Sequence, residues 1–334
     1  MEQQQPSLEH LWESFTGYQR TAAIKAGIEL DLFSLVAAGA DTIEALAERT
    51  GARGLRPLAN HLVMDGFLRR DGDRYTLTPT AAAFLDRNSP AYVGSAISFL
   101  ASPIILDSFS RLTEAVRRGG TVVSEEGTLS EENPVWIDFA RAMGPLAAFT
   151  GSLLANLLDA STARGWKVLD VAAGHGHIGL ALAQANPTIE VTALDWGNVL
   201  SVAEENARTL GLSERLRTIP GSALSIPWGE DYDLVLLPNF LHHFDPPTCE
   251  EILRKARAAL APGGRLVIVE FVPDDDRSGP PDPVRFGLVM LASTPAGDAY
   301  TLAEYREMLR KAAFGAAAMH DLLPSPARVI IAGR

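Results

Sequence analysis

The chain is poor in three things. It has a single cysteine, Cys249, among 334 residues. One thiol excludes an intramolecular disulfide and any metal centre built on several cysteines, and it fits a reducing cytoplasm. It has no uninterrupted apolar run of about 18 residues, the length a membrane-spanning helix requires, so no membrane partner is expected. It is short of positive charge: 29 Lys and Arg stand against 41 Asp and Glu, a net charge of −12. A phosphate-backbone binder normally carries a basic footprint, so no nucleic-acid partner is expected. The opening stretch MEQQQPSLEHLWESF has no basic start followed by an apolar segment, so the expectation is a cytoplasmic protein without a secretory leader. What is plentiful is apolar surface. Hydrophobic residues make up 47% of the chain, enough for the core of one large domain or two ordinary ones.

Residues 1–95 read as a mainly helical domain. Leu8, Leu11, Trp12, Phe15 and Tyr18 recur at spacings of three and four and share one helical face. GIELDLFSLV predicts a short apolar helix, and TIEALAERTG a helix capped by Asp41 or Thr42 and ended by Gly51. LRPLANHLVMDGFL predicts a third helix, and LRRDGDRYTLT a hairpin about an Asp-Gly turn. Helix, helix, hairpin is the order of a winged helix. Arg53, Arg56, Arg69, Arg70 and Arg74 admit a ligand-sensing DNA regulator. The acidic balance favours ordinary solvated arginines on a module used for packing or dimerisation.

Residues 96–157 read as a helical connector containing the polar loop RRGGTVVSEEGTLSEENP. Over 158–334 the period changes. Short apolar runs (WKVLDVAA, IEVTALDW, LRTIP, YDLVLLPNFL, GRLVIVEFV, RVIIAG) alternate with helical stretches. This predicts an α/β domain with a doubly wound parallel sheet, whose ligands bind beyond the carboxyl ends of the strands. The first strand runs into Gly174-His175-Gly176-His177-Ile178-Gly179, a literal G-x-G-x-x-G. That pattern alone points to a dinucleotide. Asp170, four residues before Gly174, argues otherwise, because a carboxylate there repels a pyrophosphate. It suits a ligand with a positive amine and a positive sulfonium, S-adenosylmethionine. Asp195 closes the second strand, where an acid accepts hydrogen bonds from ribose hydroxyls in either ligand class. His175 and His177 form an H-x-H, but no third metal ligand is evident nearby, so no metal is expected.

The string Asp170-x-Ala172-x-Gly174-x-Gly176, with Asp195, LPNFLHHFD and LAPGGRLVIVE, resembles the class I S-adenosylmethionine-dependent methyltransferases. With the winged-helix front, nearly the whole chain resembles the small-molecule O-methyltransferases of the caffeate, hydroxyindole and polyketide type. The resemblance implies a Rossmann-like fold and S-adenosylmethionine as cofactor, with S-adenosylhomocysteine as product. It adds Trp196, Ser222, Ala223 and Asn239 to the cofactor site. It also implies a general base at His242, an orienting acid at Glu270, and an acceptor pocket drawn from Phe139, Met143, Phe240, His243, Phe286 and Met290. It implies a homodimer through the N-terminal helices, and Leu8, Trp12 and Phe15 would be hard to bury in a lone helix.

Three positions depart from the family pattern. Ser222-Ala223 stands where an acid often meets adenine. Asn239 stands where plant members have a lysine. Ala299, beside Asp298, stands where some members have a second acid. The chemistry is coherent on elementary grounds. A phenol of pKa about 10 is mostly protonated at neutral pH, and a histidine of unperturbed pKa about 6.5 takes its proton as attack proceeds. Beside hydroxyl methylation stand methylation of carbon or nitrogen and non-methylating chemistry on the same fold. Residues 273–283, PDDDRSGPPDP, read either as a cover or as a solvated linker.

Overall fold

The computed structural model describes residues 7–130 and 132–334. Residues 1–6 of the leader reading and Glu131 in the connector loop lie outside them. The chain forms two compact units that divide between Ser102 and Pro103.

In the first unit α1 (Leu8–Glu29) starts at Ser7, whose hydroxyl accepts the His10 N–H. The apolar segment expected as one helix across 27–36 is broken. α1 ends, Asp31 turns left-handed at φ 55°, and α2 (Leu32–Ala37) begins. α3 (Ile43–Thr50) is capped by Thr42 and closed by a left-handed Gly51, and α4 (Leu55–Met64) follows. The hairpin β1 (Leu68–Asp71) and β2 (Arg74–Leu77) is antiparallel, then come α5 (Pro79–Phe84) and α6 (Ala96–Leu100). Leu32, Phe33, Leu46, Leu55, Leu62 and Tyr75 fill the core of this winged helix. Two wing arginines are engaged within the unit. Arg74 pairs with Asp41, while Arg70 bonds Asn60 and lies over the Tyr75 ring.

The second unit opens with α7 (Pro103–Ser110), α8 (Leu112–Arg118) and the long α9 (Val135–Leu157). Then β3 (Lys167–Val171), α10 (His177–Ala185), β4 (Glu190–Asp195), α11 (Gly197–Thr209) and β5 (Leu216–Pro220) build one half of the sheet. β6 (Tyr232–Pro238), α12 (Pro246–Ala259), β7 (Leu260–Glu270), α13 (Pro281–Ser293), α14 (Leu302–Lys311), β8 (Ala317–Asp321) and β9 (Arg328–Gly333) build the other. The strand order is β5-β4-β3-β6-β7-β9-β8, parallel except where β9 meets β7 and β8. Both sheet faces are covered, which is why the strands read as continuous apolar runs. Leu169, Val171, Val235, Leu237 and Ile268 pack one face, and Val168, Leu234, Leu236, Val267 and Val269 the other. The order reverses at β3, which has β4 on one side and β6 on the other, opening a crevice at the carboxyl ends. Among the described residues no helix is long and apolar enough to cross a membrane.

Candidate active site

Asp170, Asp195, Asn239 and Glu270 stand at or beside the carboxyl ends of β3, β4, β6 and β7. After β3 the backbone turns left-handed at Ala172 (φ 53°), Gly174 (55°) and Gly176 (72°) before α10 starts. A Cβ on Gly174 would meet almost nothing, so the loop presents open backbone, whereas one on Gly176 would press on Ala203 at 3.0 Å. Asp170 is fully buried. Its Oδ2 accepts the Gly179 N–H at 3.0 Å, and its Oδ1 has no partner. Burial raises this carboxyl to about 8. Asp195 accepts the Gly174 N–H on Oδ2 (2.8 Å) and the Trp196 N–H on Oδ1 (2.7 Å), and burial raises it to about 6. Trp196 Nε1 and Asn239 Oδ1 are also buried without partners. Two unpaired acceptors, Asp170 Oδ1 and Asn239 Oδ1, and one unpaired donor, Trp196 Nε1, lie at or just past the carboxyl ends of β3, β6 and β4, and suit a polar ligand that brings both donors and acceptors. Ser222 and Ala223 follow β5, and the Gly221 N–H bonds the Asp195 carbonyl at 2.9 Å, which ties that loop to the acid.

His242 sits on a single 3-10 turn, Leu241–His243, after β6. Its Nδ1 meets Glu270 Oε2 at 2.6 Å, with both side chains buried. The other oxygen of Glu270 accepts the Phe240 and His242 N–H groups at 3.0 and 3.4 Å. One carboxylate therefore holds both the imidazole and the turn that carries it. The Cys249 thiol donates to the Leu241 carbonyl (3.1 Å), and the Tyr300 hydroxyl to the Phe244 carbonyl (2.6 Å). A Cβ on Gly297 would fall 2.2 Å from the His242 carbonyl oxygen. The Gly297–Ala299 segment is thus pressed on the turn. Ala299 is buried, and its carbonyl accepts from Arg277, which also pairs with Asp298 (3.3 Å) and Glu304 (2.8 Å). The 273–283 stretch is tied down through Arg277, an Asp274–Arg328 pair and the Ala303 N–H on Asp275.

Two rings meet His242 directly. Phe286 meets it edge-on at 4.7 Å and stacks on Phe271 at 4.4 Å. His243 lies 4.3 Å from it and 5.2 Å from Trp136. Burial and the neighbouring His242 hold His243 well below the ordinary histidine range, and its Nδ1 has no partner. Phe139 stacks on His175 at 6.4 Å, and Trp136 meets Phe139 edge-on at 5.5 Å. His175 accepts the His177 N–H on Nδ1, and burial lowers it to about 3. Among the described residues no metal-binding cluster of His, Cys, Asp or Glu occurs. Met143 is half-buried one helical turn beyond Phe139. Met290 is buried on α13, and Phe240 is buried in the core against Phe244. Trp136 and Phe271 were missed in the sequence. Trp136 precedes Phe139 by three and Met143 by seven, so its helical spacing could have found it. Phe271 directly follows Glu270.

A family model described as an O-methyltransferase domain matches residues 139–315, and one described as an O-methyltransferase dimerisation domain matches 12–87. The 3-hydroxy-5-methyl-1-naphthoate 3-O-methyltransferase of Streptomyces sahachiroi is 31% identical over 303 residues, 89% of this chain and 86% of that one. The tetracenomycin polyketide synthesis 8-O-methyl transferase of Streptomyces glaucescens is 30% identical, spanning 87% of each chain. A crystal structure from Nostoc punctiforme, designated an O-methyltransferase, superposes with a TM-score of 0.94 at 47% identity and covers 98% of this chain and 100% of that one. The chain belongs to the S-adenosylmethionine-dependent O-methyltransferase family.

Proposed function

We propose that the enzyme methylates a hydroxyl of a small aromatic or polyketide-like molecule, with His242 as general base and Glu270 as the acid that orients it. The observation that carries this reading is the 2.6 Å bond from His242 Nδ1 to the buried Glu270 carboxylate. With Nδ1 bound to the carboxylate, the other ring nitrogen, Nε2, is left as the one that can accept a proton. S-adenosylmethionine, when bound, supplies an electrophilic methyl on a positive sulfur. Asp170 Oδ1 would hold its ammonium, Asp195 its ribose hydroxyls, and Ser222 and Ala223 its adenine. Gly174 offers open backbone beside it and Gly176 makes the tight turn against Ala203, with Ala172, Trp196 and Asn239 completing the wall. Phe139, Met143, Phe286 and Met290, with Trp136, bound a flat apolar space for the acceptor. His243, held neutral, adds a polar edge to that space.

His242 takes the hydroxyl proton on Nε2 as the oxygen attacks. Glu270 fixes the Nδ1–H tautomer and stabilises the imidazolium that forms. Most of the remaining benefit comes from holding the reacting atoms in line. The proposed division of labour assigns residues 1–95 to homodimerisation, 96–157 to the acceptor wall and 158–334 to the cofactor.

The test is a screen of phenols with labelled S-adenosylmethionine, followed by His242→Ala on the best acceptor. We expect kcat to fall by roughly 10²–10⁴, the usual worth of base catalysis, with S-adenosylhomocysteine affinity kept. Near-normal kcat in the variant would remove His242 from the chemistry. Nuclear magnetic resonance of the product identifies the methylated atom, and a methyl on carbon or nitrogen would overturn the hydroxyl reading.

A further inference from the structure

Lys255 on α12 is placed unusually. All three of its strong contacts run to backbone carbonyls of one short loop: Ala223 at 2.5 Å, Leu224 at 2.9 Å and Ile226 at 2.9 Å. No described carboxylate pairs with it in the structure's ion pairs. Its ammonium also lies 5.3 Å from the Trp228 ring centroid, and Trp228 Nε1 donates to the same Ala223 carbonyl at 2.9 Å. Trp228 is 3% exposed. The loop is closed internally as well. The Ser222 carbonyl accepts the Ser225 and Ile226 N–H groups, both at 3.1 Å, and the Ser222 hydroxyl accepts the Leu224 N–H. Gly221 enters it at φ 140°, and a Cβ there would meet Ile226 at 2.9 Å.

We infer that Lys255, with Trp228 beneath it, is a positioning residue for the adenine of the cofactor. It acts by crowning the carbonyls of residues 223–226 and so fixing where Ser222 and Ala223 face the site. The physical case rests on convergence. An ammonium is a compact tripod of donors, and here its donors gather three carbonyls whose dipoles would otherwise repel one another. Charge-assisted hydrogen bonds are about twice as strong as neutral ones, so the loop is held from behind by its strongest contacts. The same loop is bonded through Gly221 to the Asp195 carbonyl. A shift at Lys255 therefore moves the edge that reads the base relative to the acid assigned to the ribose. Residues 221–226, Gly-Ser-Ala-Leu-Ser-Ile, carry no charged side chain, so recognition by this loop depends on backbone placement more than on one side chain. The inference rests on the proposed adenosine site.

Isothermal titration of the full-length protein with S-adenosylhomocysteine, and with S-inosylhomocysteine, whose base carries oxygen in place of the adenine amino group, tests it. We expect Lys255→Met to weaken S-adenosylhomocysteine binding roughly tenfold, the scale of losing charged hydrogen bonds. The variant should also lose most of its preference over the inosine analogue. KM for S-adenosylmethionine should rise while kcat at saturation stays within about twofold, and Lys255→Arg, a planar fork in place of a tripod, should restore affinity only in part. A lowered melting temperature with both dissociation constants unchanged would make Lys255 merely structural and overturn the inference. Equal weakening of both ligands would do the same. Asp195→Asn separates the underlying reading. If it weakens S-adenosylhomocysteine and Lys255→Met does not, only the inference fails. If neither does, the adenosine site and the inference fail together.

Discussion

At the scale of single residues, Asp170 carries the sharpest conflict between stability and function. A fully buried carboxyl with one oxygen unpaired is held near a pKa of about 8, against an ordinary value near 4. Without cofactor it is therefore mostly protonated at pH 7. A ligand ammonium requires the ionised form, so binding must release a proton from Asp170. Titrations at pH 7 in buffers of different ionisation enthalpy should show release approaching one proton, and affinity should rise with pH up to about 8. Release near zero would mean that Asp170 does not meet the cation. The sign for stability follows from the raised value. The unfolded chain ionises near pH 4 and the folded chain only near 8, so this group's relative contribution is full below pH 4 and is lost as pH rises through 8. Asp170→Asn should remove that loss. The variant should melt higher than the parent at pH 8.5 and yet fail to bind S-adenosylhomocysteine, a trade of function for stability. The sequence marked Asp170 by its distance from Gly174. Its depth was not legible, because burial is set by β4 and β6 closing on either side of β3.

At the scale of elements, the turn at Leu241–His243 is one short helical turn held from outside. Three of its ties come from far along the chain: Glu270 on β7, Tyr300 before α14, and Gly297 pressed on the His242 carbonyl. Cys249 on α12 supplies the fourth. LHHF was singled out in the sequence through the resemblance of LPNFLHHFD to the family's string. Glu270 was singled out through the resemblance of LAPGGRLVIVE to the family's string, not through its place at the end of an apolar run. The role of Gly297 was not legible, since nothing local distinguishes it from a glycine in an ordinary loop. The break at Asp31 and the edge strand β8 escaped for a related reason. An apolar run does not announce a left-handed residue within it, and β8 follows no clean alternation. We expect Gly297→Ala to displace the turn, since a Cβ at 2.2 Å from a backbone oxygen cannot be accommodated without movement. Misplacement of a catalytic group by about 1 Å can cost about 10²-fold. The check is kcat on the acceptor found by screening, read beside the affinity for S-adenosylhomocysteine. The expected result is a fall in kcat of about that size with affinity kept. A normal kcat would show that the turn tolerates the shift.

At the scale of the whole molecule, the change from a helical to an alternating period was enough to separate a winged helix from a doubly wound sheet. The two compact units divide between Ser102 and Pro103, so most of the connector expected at 96–157 falls in the second unit, a grouping that short-range periodicity alone does not show. Periodicity also left unsettled where one apolar face goes. Leu8, Trp12, Phe15 and Tyr18 lie along one side of α1 at helical spacing and are all more than 60% exposed. A contiguous stripe of large apolar and aromatic side chains on a helix is the composition of an interface core, and it falls within and beside the segment matched by the dimerisation model. At about 25 cal/mol for each Å² buried, covering such a stripe with its copy favours association. Exposing it to water would make the chain sticky. We therefore expect a homodimer, with a light-scattering mass of about twice the 35.8 kDa of one chain. Trp12→Glu with Phe15→Glu places four like charges at the centre of a paired stripe, where desolvation is costly. That variant should run as a monomer at micromolar concentration. The core of the winged helix, built on Phe33, Leu46 and Leu62, does not include either residue, so circular dichroism should show the helical signal retained. A parent protein of single-chain mass would leave the stripe without a partner copy and remove the homodimer from the account. A dimer unaffected by the double substitution would move the interface to another face.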